Sequence, residues 1–433
     1  MQYNISNNKM ELDLSKYPVG GYGVVLYEQQ KNVNNEVSKI VHTLSMLQNI
    51  VLSIDCETID GVRSKCTFDS FLSIFSIPSI CLKVFHMSST EDSTTPYEQE
   101  RSIVKSLHSR LNQEELSKYT PVAYVNINNF DVSFIEINLS TPIFIRLGNG
   151  QKSESLSKLC CVVNNKFEDN AIQPEHIEPM KQILWFLNTK GIFHRDVKFE
   201  NIMIHKDNIA YRPRLVDFGS MRIDDGRQDM MMWYNPTKFV HPFINYYFKK
   251  EISSRSVSHT IGRDLVPAFE CEMKSFIDEN RASKYFTQYM LHKKDCFDFA
   301  MWCISTESIK SKVYKYSGGF SFRSLCSSKL KSYIDIRAVL DGKYTFLAPF
   351  IYMDNQDFSV FKNEYEKQMS QLEGGSKKKH AKQYIQLRSN NRRYLLRVDK
   401  NGKKYILENK QHVYLKDIKN KYRYVKSMDG GKS

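Results

Sequence analysis

Runs of apolar residues predict that the first third of the chain, about residues 12–147, is rich in β-strands. The run 19–27, Val-Gly-Gly-Tyr-Gly-Val-Val-Leu-Tyr, favours two strands joined by a tight glycine turn. Residues 79–85, Ser-Ile-Cys-Leu-Lys-Val-Phe, predict another strand, which carries a lysine. Between these strands lies an insertion of about 31–78, in which the apolar residues of 37–51 recur at helical spacing. We expect this insertion to pack against the strand-rich part rather than to form a separate binding module.

After residue 150 the apolar residues recur three and four positions apart, which indicates helices. Helices are predicted over 174–188 and 295–304, and one over 95–109 in the first part. Glu373-Gly-Gly-Ser begins a segment with the composition of a linker. The pattern therefore predicts an α+β chain with a small β-rich lobe, a larger helical lobe, a linker and a β-rich appendage. Their expected bounds are 1–147, 148–372, 373–382 and 383–433.

The appendage repeats tyrosine, aliphatic and basic residues at regular intervals. The tyrosines recur every nine to eleven residues, at Tyr394, Tyr405, Tyr414 and Tyr424. Lys400-Asn-Gly-Lys between the first two is a strong hairpin signal. We expect four short strands, with tyrosines and aliphatic residues on one face and Lys and Arg on the other.

Positive charge is concentrated in the same part of the chain. Of the 62 basic and 48 acidic residues, 18 and 4 fall within 376–433, which leaves 44 of each in residues 1–375. The body is formally neutral although the chain carries a net charge of +14. An anionic partner would therefore be recruited through 376–433. Nucleic acid, an acidic protein and an anionic membrane surface all remain open, as does a solvated module without a ligand.

Composition excludes several other classes of protein. A hydrophobic fraction of 41% and an aromatic fraction of 12% indicate a folded chain rather than a disordered one. The most apolar stretch, 71–82, is shorter than the ~20 residues that span a bilayer, so no transmembrane segment is expected. Residues 1–10 lack the features of a signal peptide. The nine cysteines include no C-x-x-C pair, so neither a zinc site nor a disulfide framework is predicted, and an intracellular, reducing location is expected.

One polar string concentrates the groups that phosphoryl transfer requires. Residues 194–201 read His-Arg-Asp-Val-Lys-Phe-Glu-Asn, and Asp217-Phe-Gly follows. Transfer from ATP needs a carboxylate beside the attacking hydroxyl, a cation near the γ-phosphate and oxygen ligands for Mg²⁺. Asp196 is the candidate carboxylate and Lys198 the candidate cation. Asn201 and Asp217 are the candidate metal ligands, with Mn²⁺ as an alternative ion.

These motifs resemble those of the eukaryotic-type protein kinase family, from residue 12 into the 360s. The resemblance implies a two-lobed protein-kinase fold and ATP- and Mg²⁺-dependent phosphorylation of proteins. The chain resembles the Ser/Thr branch of the family in one respect, because Lys198 stands two residues after Asp196, the counterpart of the catalytic aspartate. Glu200 stands where basophilic members carry an acid that contacts the substrate, which implies a preference for basic sites; a solvated loop acid is the alternative.

The resemblance also implies a nucleotide site. The residues that match it are Gly20, Gly21, Gly23, Val25, Lys83, Glu100 and Asp217. The glycines resemble a loop over the phosphates, although Pro18 replaces the first glycine of the family's pattern. Lys83 resembles the strand lysine that contacts the α- and β-phosphates. Glu100 resembles the helix glutamate that holds this lysine, with Glu98 as its rival. The adenine-contacting segment is expected near 145–150.

Two further features of the resemblance concern the catalytic loop. Asp295 resembles a buried helix aspartate that anchors this loop; a helix N-cap is the alternative, and Asp298 is a rival. Only Ser220 carries a hydroxyl between Gly219 and Trp233, so the usual phosphorylated partner of Arg195 is lacking. We therefore hypothesise that Arg195 pairs with an acid. The candidates are Asp224, Asp225 and Asp229.

The segment after Asp217-Phe-Gly departs from the family's pattern. It ends Trp233-Tyr-Asn-Pro-Thr-Lys, which lacks the family's final glutamate. With the large insertion, this departure resembles the divergent kinases of large nucleocytoplasmic DNA viruses, which implies the host cytoplasm or the virion. We predict an active Ser/Thr protein kinase that acts on protein substrates. The alternatives are a pseudokinase or scaffold whose basic tail recruits partners, and a lipid or small-molecule kinase.

Overall fold

The computed structural model has a mixed α/β architecture with a β-sheet and several helices. The chain divides into two compact units, Met1–Tyr365 and Glu366–Ser433, which are described separately. The residues described are 11–13, 19–20, 23–27, 45, 47–58, 61–86, 96–146, 156–166, 172–206, 211–226, 229–234, 241–248, 267–305, 347–376, 384–387, 393–395, 397–398, 404–408, 411–414 and 422–425.

A large sheet organises the first part of the first unit. Its strands are β1 (Glu11–Asp13), β2 (Val19–Gly20), β3 (Gly23–Tyr27), β4 (Val51–Thr58), β5 (Arg63–Lys65), β6 (Ile80–His86), β7 (Val125–Ile127), β8 (Phe130–Arg146) and β9 (Leu156–Asn165). Most strands follow the order β2-β3-β6-β9-β8-β4-β5, and β1 and β7 also pair with β8. On β6, Leu82 and Val84 are buried at alternate positions, as expected of a strand with one face in the core. Lys83 between them therefore faces the other side.

Within the described part of the chain, three helices with defined bounds accompany the sheet. They are α1 (Phe68–Ile74), α2 (Pro96–Arg110) and α3 (Gln113–Tyr119). On α2 the buried residues follow helical spacing, and they include Glu100 beside Ile103, Val104 and Leu107. Asn112 and Glu115 form a capping box that starts α3. The apolar stripe of α2 thus carries one carboxylate into a buried position.

The rest of the first unit is mainly helical. Its described helices are α4 (Ile177–Thr189), α5 (Pro242–Phe248), α6 (Pro267–Asn280), α7 (Phe286–Ser305), α8 (Ala348–Ile351) and α9 (Asn355–Ser376), the last of which continues past the end of this unit at Tyr365. Two short antiparallel ladders join β10 (Ile192–Phe193) to β13 (Arg222–Ile223) and β11 (Ile202–Lys206) to β12 (Tyr211–Leu215). Aromatic side chains of α7 and α9 pack together in this core, with Phe286 against Phe358 and Tyr289 against Phe361. No helix among the described residues is long and apolar enough to cross a membrane.

The second unit contains short strands beyond the end of α9. They are β14 (Tyr384–Leu387), β15 (Arg393–Leu395), β16 (Arg397–Val398), β17 (Lys404–Glu408), β18 (Gln411–Tyr414) and β19 (Tyr422–Val425). They form two antiparallel sheets, β15-β14-β19 and β16-β17-β18. Each of the four repeating tyrosines lies in a strand, as predicted, but the described residues form six strands rather than four.

Element boundaries differ from the sequence prediction at several places, and helix α7 begins at Phe286 rather than at 295. Strand β9 belongs to the same sheet as β8, so the sheet extends past the expected lobe boundary at 147. Of the expected adenine-contacting segment, 145 and 146 end β8, and 147–150 lie outside the described residues. Helix α9 runs to Ser376, through the start of the expected linker 373–382. Val51 begins β4 instead of ending a helix. Within the rest of that expected helix, Ser45 and Leu47 are helical and 48–50 form a turn, while 37–44 and 46 lie outside the described residues.

The insertion adds to the sheet and contains a disulfide. Strand β4 pairs with β8 and with β5, so part of 31–78 extends the sheet at its edge. Cys56 and Cys66 are bonded, with Cα atoms 6.1 Å apart, which corrects the prediction that the chain forms no disulfide. The hairpin of β4 and β5 brings the two cysteines together, and their sequence spacing alone carries no such signal. Cys81, Cys160, Cys161, Cys296 and Cys303 are buried and form no disulfide.

Candidate functional site

The ammonium group of Lys83 lies between two carboxylates from distant parts of the chain. Its Nζ donates to Glu100 Oε2 at 2.6 Å and to Asp217 Oδ1 at 2.9 Å. Lys83 lies on β6, Glu100 lies on α2, and Asp217 follows β12 by two residues. The fold therefore brings together three residues that the sequence assigned to one site. The rival Glu98 is exposed on the same helix.

Burial and charge together determine the ionisation of this cluster. Glu100 is 1% exposed, where an unpaired carboxylate would be costly. Burial opposes the charge of Lys83, but Glu100 and Asp217 outweigh it and raise the pKa of the Lys83 amine. Burial also opposes the charge of Asp217, yet the Lys83 ammonium outweighs it and keeps the pKa of Asp217 below its usual value. Lys83 and Asp217 are therefore both charged at neutral pH.

A second cluster forms within the loop 194–201. Lys198 Nζ donates to Asp196 Oδ2 at 2.8 Å, and Asn201 Nδ2 donates to the same oxygen at 3.0 Å. Asn201 also donates to the main-chain carbonyl of Asp196 at 2.8 Å, which closes the loop on itself. Burial opposes the charge of Lys198, but the hydrogen bond and the charge of Asp196 outweigh it and raise the pKa of Lys198. The loop thus presents a carboxylate, a cation and an amide side by side.

Backbone hydrogen bonds join this loop to the segment that carries Asp217. The main-chain N–H of Val216 donates to the carbonyl of Asn201 at 2.8 Å. His194 Nε2 lies 2.9 Å from the Val216 carbonyl oxygen and is placed to donate to it. The charge of Asp217 also contributes to the raised pKa of Lys198. The two clusters therefore belong to one site.

Asp295 anchors the loop from helix α7. Its Oδ2 accepts from the main-chain N–H of His194 at 2.9 Å, and its Oδ1 accepts from that of Arg195 at 2.8 Å. Asp295 is 1% exposed and lies in the middle of α7, so it is not a helix N-cap. Its rival Asp298 instead forms a buried ion pair with Lys294. Asp295 is thus positioned as the resemblance implied.

Asn188 on α4 extends this anchor and had no prediction attached to it. Its Nδ2 donates to Asp295 Oδ2 at 3.1 Å, and its Oδ1 lies 2.8 Å from His292 Nδ1. Burial, with a contribution from Lys293, holds the pKa of His292 well below its usual value, so the imidazole is neutral. No local pattern marks Asn188, because these partners lie 107 and 104 residues further along the chain.

Two residues of the site have a backbone conformation that side chains disfavour. Arg195 has φ 69° and Asp217 has φ 63°, both in the left-handed region. Arg195 is held there by the hydrogen bond that its main-chain N–H donates to Asp295 Oδ1. The segment after Asp217 is held by Gln99 of α2, whose side chain donates to the carbonyl of Gly219. Strain of this kind persists only where neighbouring contacts oppose its release.

The glycines of this motif lie on strands β2 and β3, and β3 pairs directly with β6, the strand that carries Lys83. Gly20 on β2 is the cross-strand partner of Gly23 on β3, and Gly21 between them lies outside the described residues. A Cβ on Gly23 would lie 2.3 Å from a carbonyl oxygen of β6, so only glycine permits this strand approach. Val25 is the cross-strand partner of Lys83, so the two share a face of the sheet.

Arg195 has contacts that differ from the hypothesis of an acidic partner. Its Nε donates to the carbonyl of Trp233 at 2.5 Å, and its Nη1 donates to that of Ser220 at 2.9 Å. Of the three candidate acids, Asp224 instead accepts a hydrogen bond from the buried hydroxyl of Tyr365 on α9. Main-chain carbonyls therefore satisfy the guanidinium and hold both ends of the segment 220–233.

The donor set of the site is suited to a hard cation. Asn201 and Asp217 carry side-chain oxygens, the ligand type that Mg²⁺ prefers, and Mg²⁺ usually completes its shell with phosphate and water. Two protein ligands are therefore sufficient for such an ion. Within the described residues there is no group of three or more His, Cys, Asp or Glu that could hold a metal by itself.

Comparison with models of known protein families finds no match to this chain, and comparison with curated proteins finds no significant match.

Proposed function

We propose that this protein is a Ser/Thr protein kinase that transfers the γ-phosphoryl group of ATP, with Mg²⁺, to hydroxyl groups of proteins. The proposal includes a two-lobed protein-kinase fold for the first unit. The observation that carries it is the position of Lys83, whose ammonium contacts both Glu100 and Asp217. A structural ion pair would need only one of these carboxylates. The second leaves the lysine beside a candidate metal ligand, next to the Asp196 loop.

In the proposed nucleotide complex the site binds phosphates and metal from two sides. Lys83, fixed by Glu100, would donate to phosphate oxygens, while Asn201 and Asp217 would bind Mg²⁺, which neutralises phosphate charge when bound. The glycine turn of β2 and β3 would cover the phosphates with main-chain N–H groups. Val25 shares a sheet face with Lys83, so its side chain would contact the nucleotide.

The transfer step is assigned to the loop residues. The substrate hydroxyl oxygen would attack the γ-phosphorus while the bond to the β–γ bridging oxygen breaks. Asp196 would orient the hydroxyl and accept its proton, and Lys198 would offset the charge that develops on the transferred group. Their 2.8 Å contact supports this assignment, because one substrate could reach both groups. Asp295 would keep the loop in position through its two backbone hydrogen bonds.

The test is a transfer assay with purified protein, labelled ATP and Mg²⁺. Casein, basic histone, myelin basic protein and the protein itself serve as acceptors. We expect Asp196→Asn to lower the rate by roughly 10²-fold or more, as loss of a general base does, while ATP still binds. Asp278→Asn, which changes an exposed acid on α6, is the matched control and should leave the rate unchanged. ATP binding without transfer by the unaltered protein would favour the scaffold alternative instead.

The exposed position of Glu200 supports a preference for basic substrates. The residue lies beside Asp196 and Lys198 in the loop, and its carboxylate is open to solvent. Peptides with Arg before the target Ser should be phosphorylated faster than peptides with Glu there. Glu200→Gln should remove the difference without lowering the rate on a neutral peptide. Equal rates on both peptides would leave Glu200 as a solvated loop acid.

A second proposed function is polyanion binding by the appendage, with single-stranded nucleic acid as the favoured ligand. In the strand register, Tyr405 of β17 lies between Arg397 and Tyr414. The two tyrosine rings are partly exposed with centroids 5.8 Å apart, whereas Ile406, on the opposite face, is fully buried. A strand register that pairs aromatic positions with a basic one suits base stacking combined with phosphate contacts.

The dependence of binding on salt and on the Tyr405 ring distinguishes nucleic acid from a membrane or an acidic protein as the ligand. The full chain should bind a labelled 20-nucleotide single strand, with affinity that falls steeply between about 50 and 200 mM salt. Tyr405→Ala should weaken this binding, and Tyr405→Phe should not, because a phenyl ring still stacks. Preferential binding to phosphatidylserine vesicles or to polyglutamate would identify a membrane or acidic-protein ligand. Absence of binding to all three would leave an inert module.

A further inference from the structure

A buried carboxylate on the inserted strand β4 contacts the helix that carries Glu100. The side chain of Glu57 is 8% exposed and accepts hydrogen bonds from Arg101 and Lys105, both on α2. Arg63 of β5 lies 3.7 Å away. One carboxylate therefore faces three cations. Arg101 and Lys105 are four residues apart, so they lie on one face of α2.

The two contacts on α2 restrict both its rotation and its translation. Arg101 directly follows Glu100, so a rotation that moves one of them moves the other. The contact between Glu100 and Lys83 is 2.6 Å, and a shift of one or two ångströms would break it. The strand that carries Glu57 is held firmly in place, because β4 is paired along its length with β8 and Cys56 is bonded to Cys66.

The surrounding charges make the position of α2 against β4 depend on the negative charge of Glu57. Burial lowers the pKa of the Lys105 amine, and the charges of Arg101 and Arg63 lower it further. The three cations thus repel one another, and Glu57 is the acid that contacts all of them. Removing its charge would eliminate an attraction and leave the repulsion, so α2 would be pushed away from β4.

We propose that Glu57 is a positioning residue that holds α2 against the sheet so that Glu100 meets Lys83. The inference rests on the proposed kinase function for its catalytic consequence, but the Glu100–Lys83 contact itself can be measured without activity. It gives the insertion a defined role, since β4 lies in the inserted segment. Glu57 acts through Glu100 and does not itself contact the reacting groups.

The experiment measures the reactivity of the Lys83 amine in the full chain. Competitive acetylation at several pH values, read by mass spectrometry, gives the pKa of Lys83 directly. In the unaltered protein this pKa is raised. Glu57→Gln should lower it and increase acetylation near pH 8, by about tenfold for each pKa unit. Glu100→Gln should act in the same direction.

Matched variants separate positioning from general stability. Asp55→Asn changes another acid of β4, which bonds Ser53 and Asn138, and should leave the Lys83 pKa unchanged. Arg101→Gln should reproduce the effect of Glu57→Gln, and it serves as the test if the Glu57 variant does not fold. The double variant should be no worse than either single one, because both break one contact.

Two outcomes are kept apart by this design. An unchanged Lys83 pKa in folded Glu57→Gln, or in Arg101→Gln, would refute the proposal that Glu57 positions α2. Failure of the unaltered protein to transfer phosphate would refute the kinase proposal. The positioning role of Glu57 would still be decided by the Lys83 labelling. If both hold, Glu57→Gln should lower kcat/KM for ATP in parallel with the pKa, while Asp55→Asn keeps both values.

Discussion

Replacement of Asp295 by Asn should destabilise the protein more than any exposed acid-to-amide change. The carboxylate accepts from the main-chain N–H groups of His194 and Arg195 and from the side chain of Asn188. An amide keeps one accepting oxygen, so its NH₂ group would face a backbone donor. A lost hydrogen bond to a charged group is worth about 1.5–3 kcal/mol, and an unsatisfied buried donor costs about 1–3 kcal/mol more. We expect a loss of about 3–5 kcal/mol in the free energy of unfolding.

The assay is urea unfolding followed by tryptophan fluorescence. Trp233, whose carbonyl accepts from Arg195, lies close to the perturbed loop. Hydrogen exchange at the amides of His194 and Arg195 should also become faster, because both lose their charged acceptor. Asp278→Asn, an exposed acid on α6, should change stability by less than about 0.5 kcal/mol. If Asp295→Asn unfolds at the same urea concentration as the unaltered protein, the anchor described above is refuted.

Two further predictions concern the sheet and the pH dependence of stability. Gly23→Ala should cost about 1–3 kcal/mol, because its Cβ would lie 2.3 Å from a carbonyl oxygen of β6; unchanged urea unfolding would contradict this close approach. Burial lowers the pKa of His108 from 6.5 to about 4, so between these values the unfolded chain binds a proton that the folded chain does not. Stability should therefore fall as the pH falls through this window, and His108→Gln should lose less stability between pH 7 and pH 5. An equal loss in both proteins would exclude His108 as a cause.

The sequence predicted the parts of the site that lie close together along the chain. Asp196, Lys198 and Asn201 stand within six residues, and their order is dictated by the chemistry that they would share. Lys83 and Glu100 were predicted from the resemblance, which implies a strand lysine held by a helix glutamate. The structure brings all of these residues and Asp217 into one place.

Residues whose partners are remote could not be predicted in the same way. Glu57 contacts α2 from 44 and 48 positions away, and Gln99 contacts Gly219 from 120 positions away. Neither has a distinctive neighbour in the sequence, because its role is defined only by the fold. Strand β9 was missed for another reason: a central strand covered on both faces shows a continuous apolar run without alternation. Cys160-Cys-Val-Val in its middle is such a run.

The left-handed backbone at Arg195 and Asp217 has a consequence for how this chain can change. Glycine would adopt φ values of 69° and 63° without the cost that a side chain incurs there, roughly 1–2 kcal/mol per residue. A sequence optimised only for folding would therefore have glycine or asparagine at both positions. This chain instead keeps a guanidinium and a carboxylate there, at the expense of stability. Glycine at either position would relieve the backbone strain but would also remove side-chain contacts: the hydrogen bonds of Arg195 to Trp233 and Ser220, and the ion pair of Asp217 with Lys83.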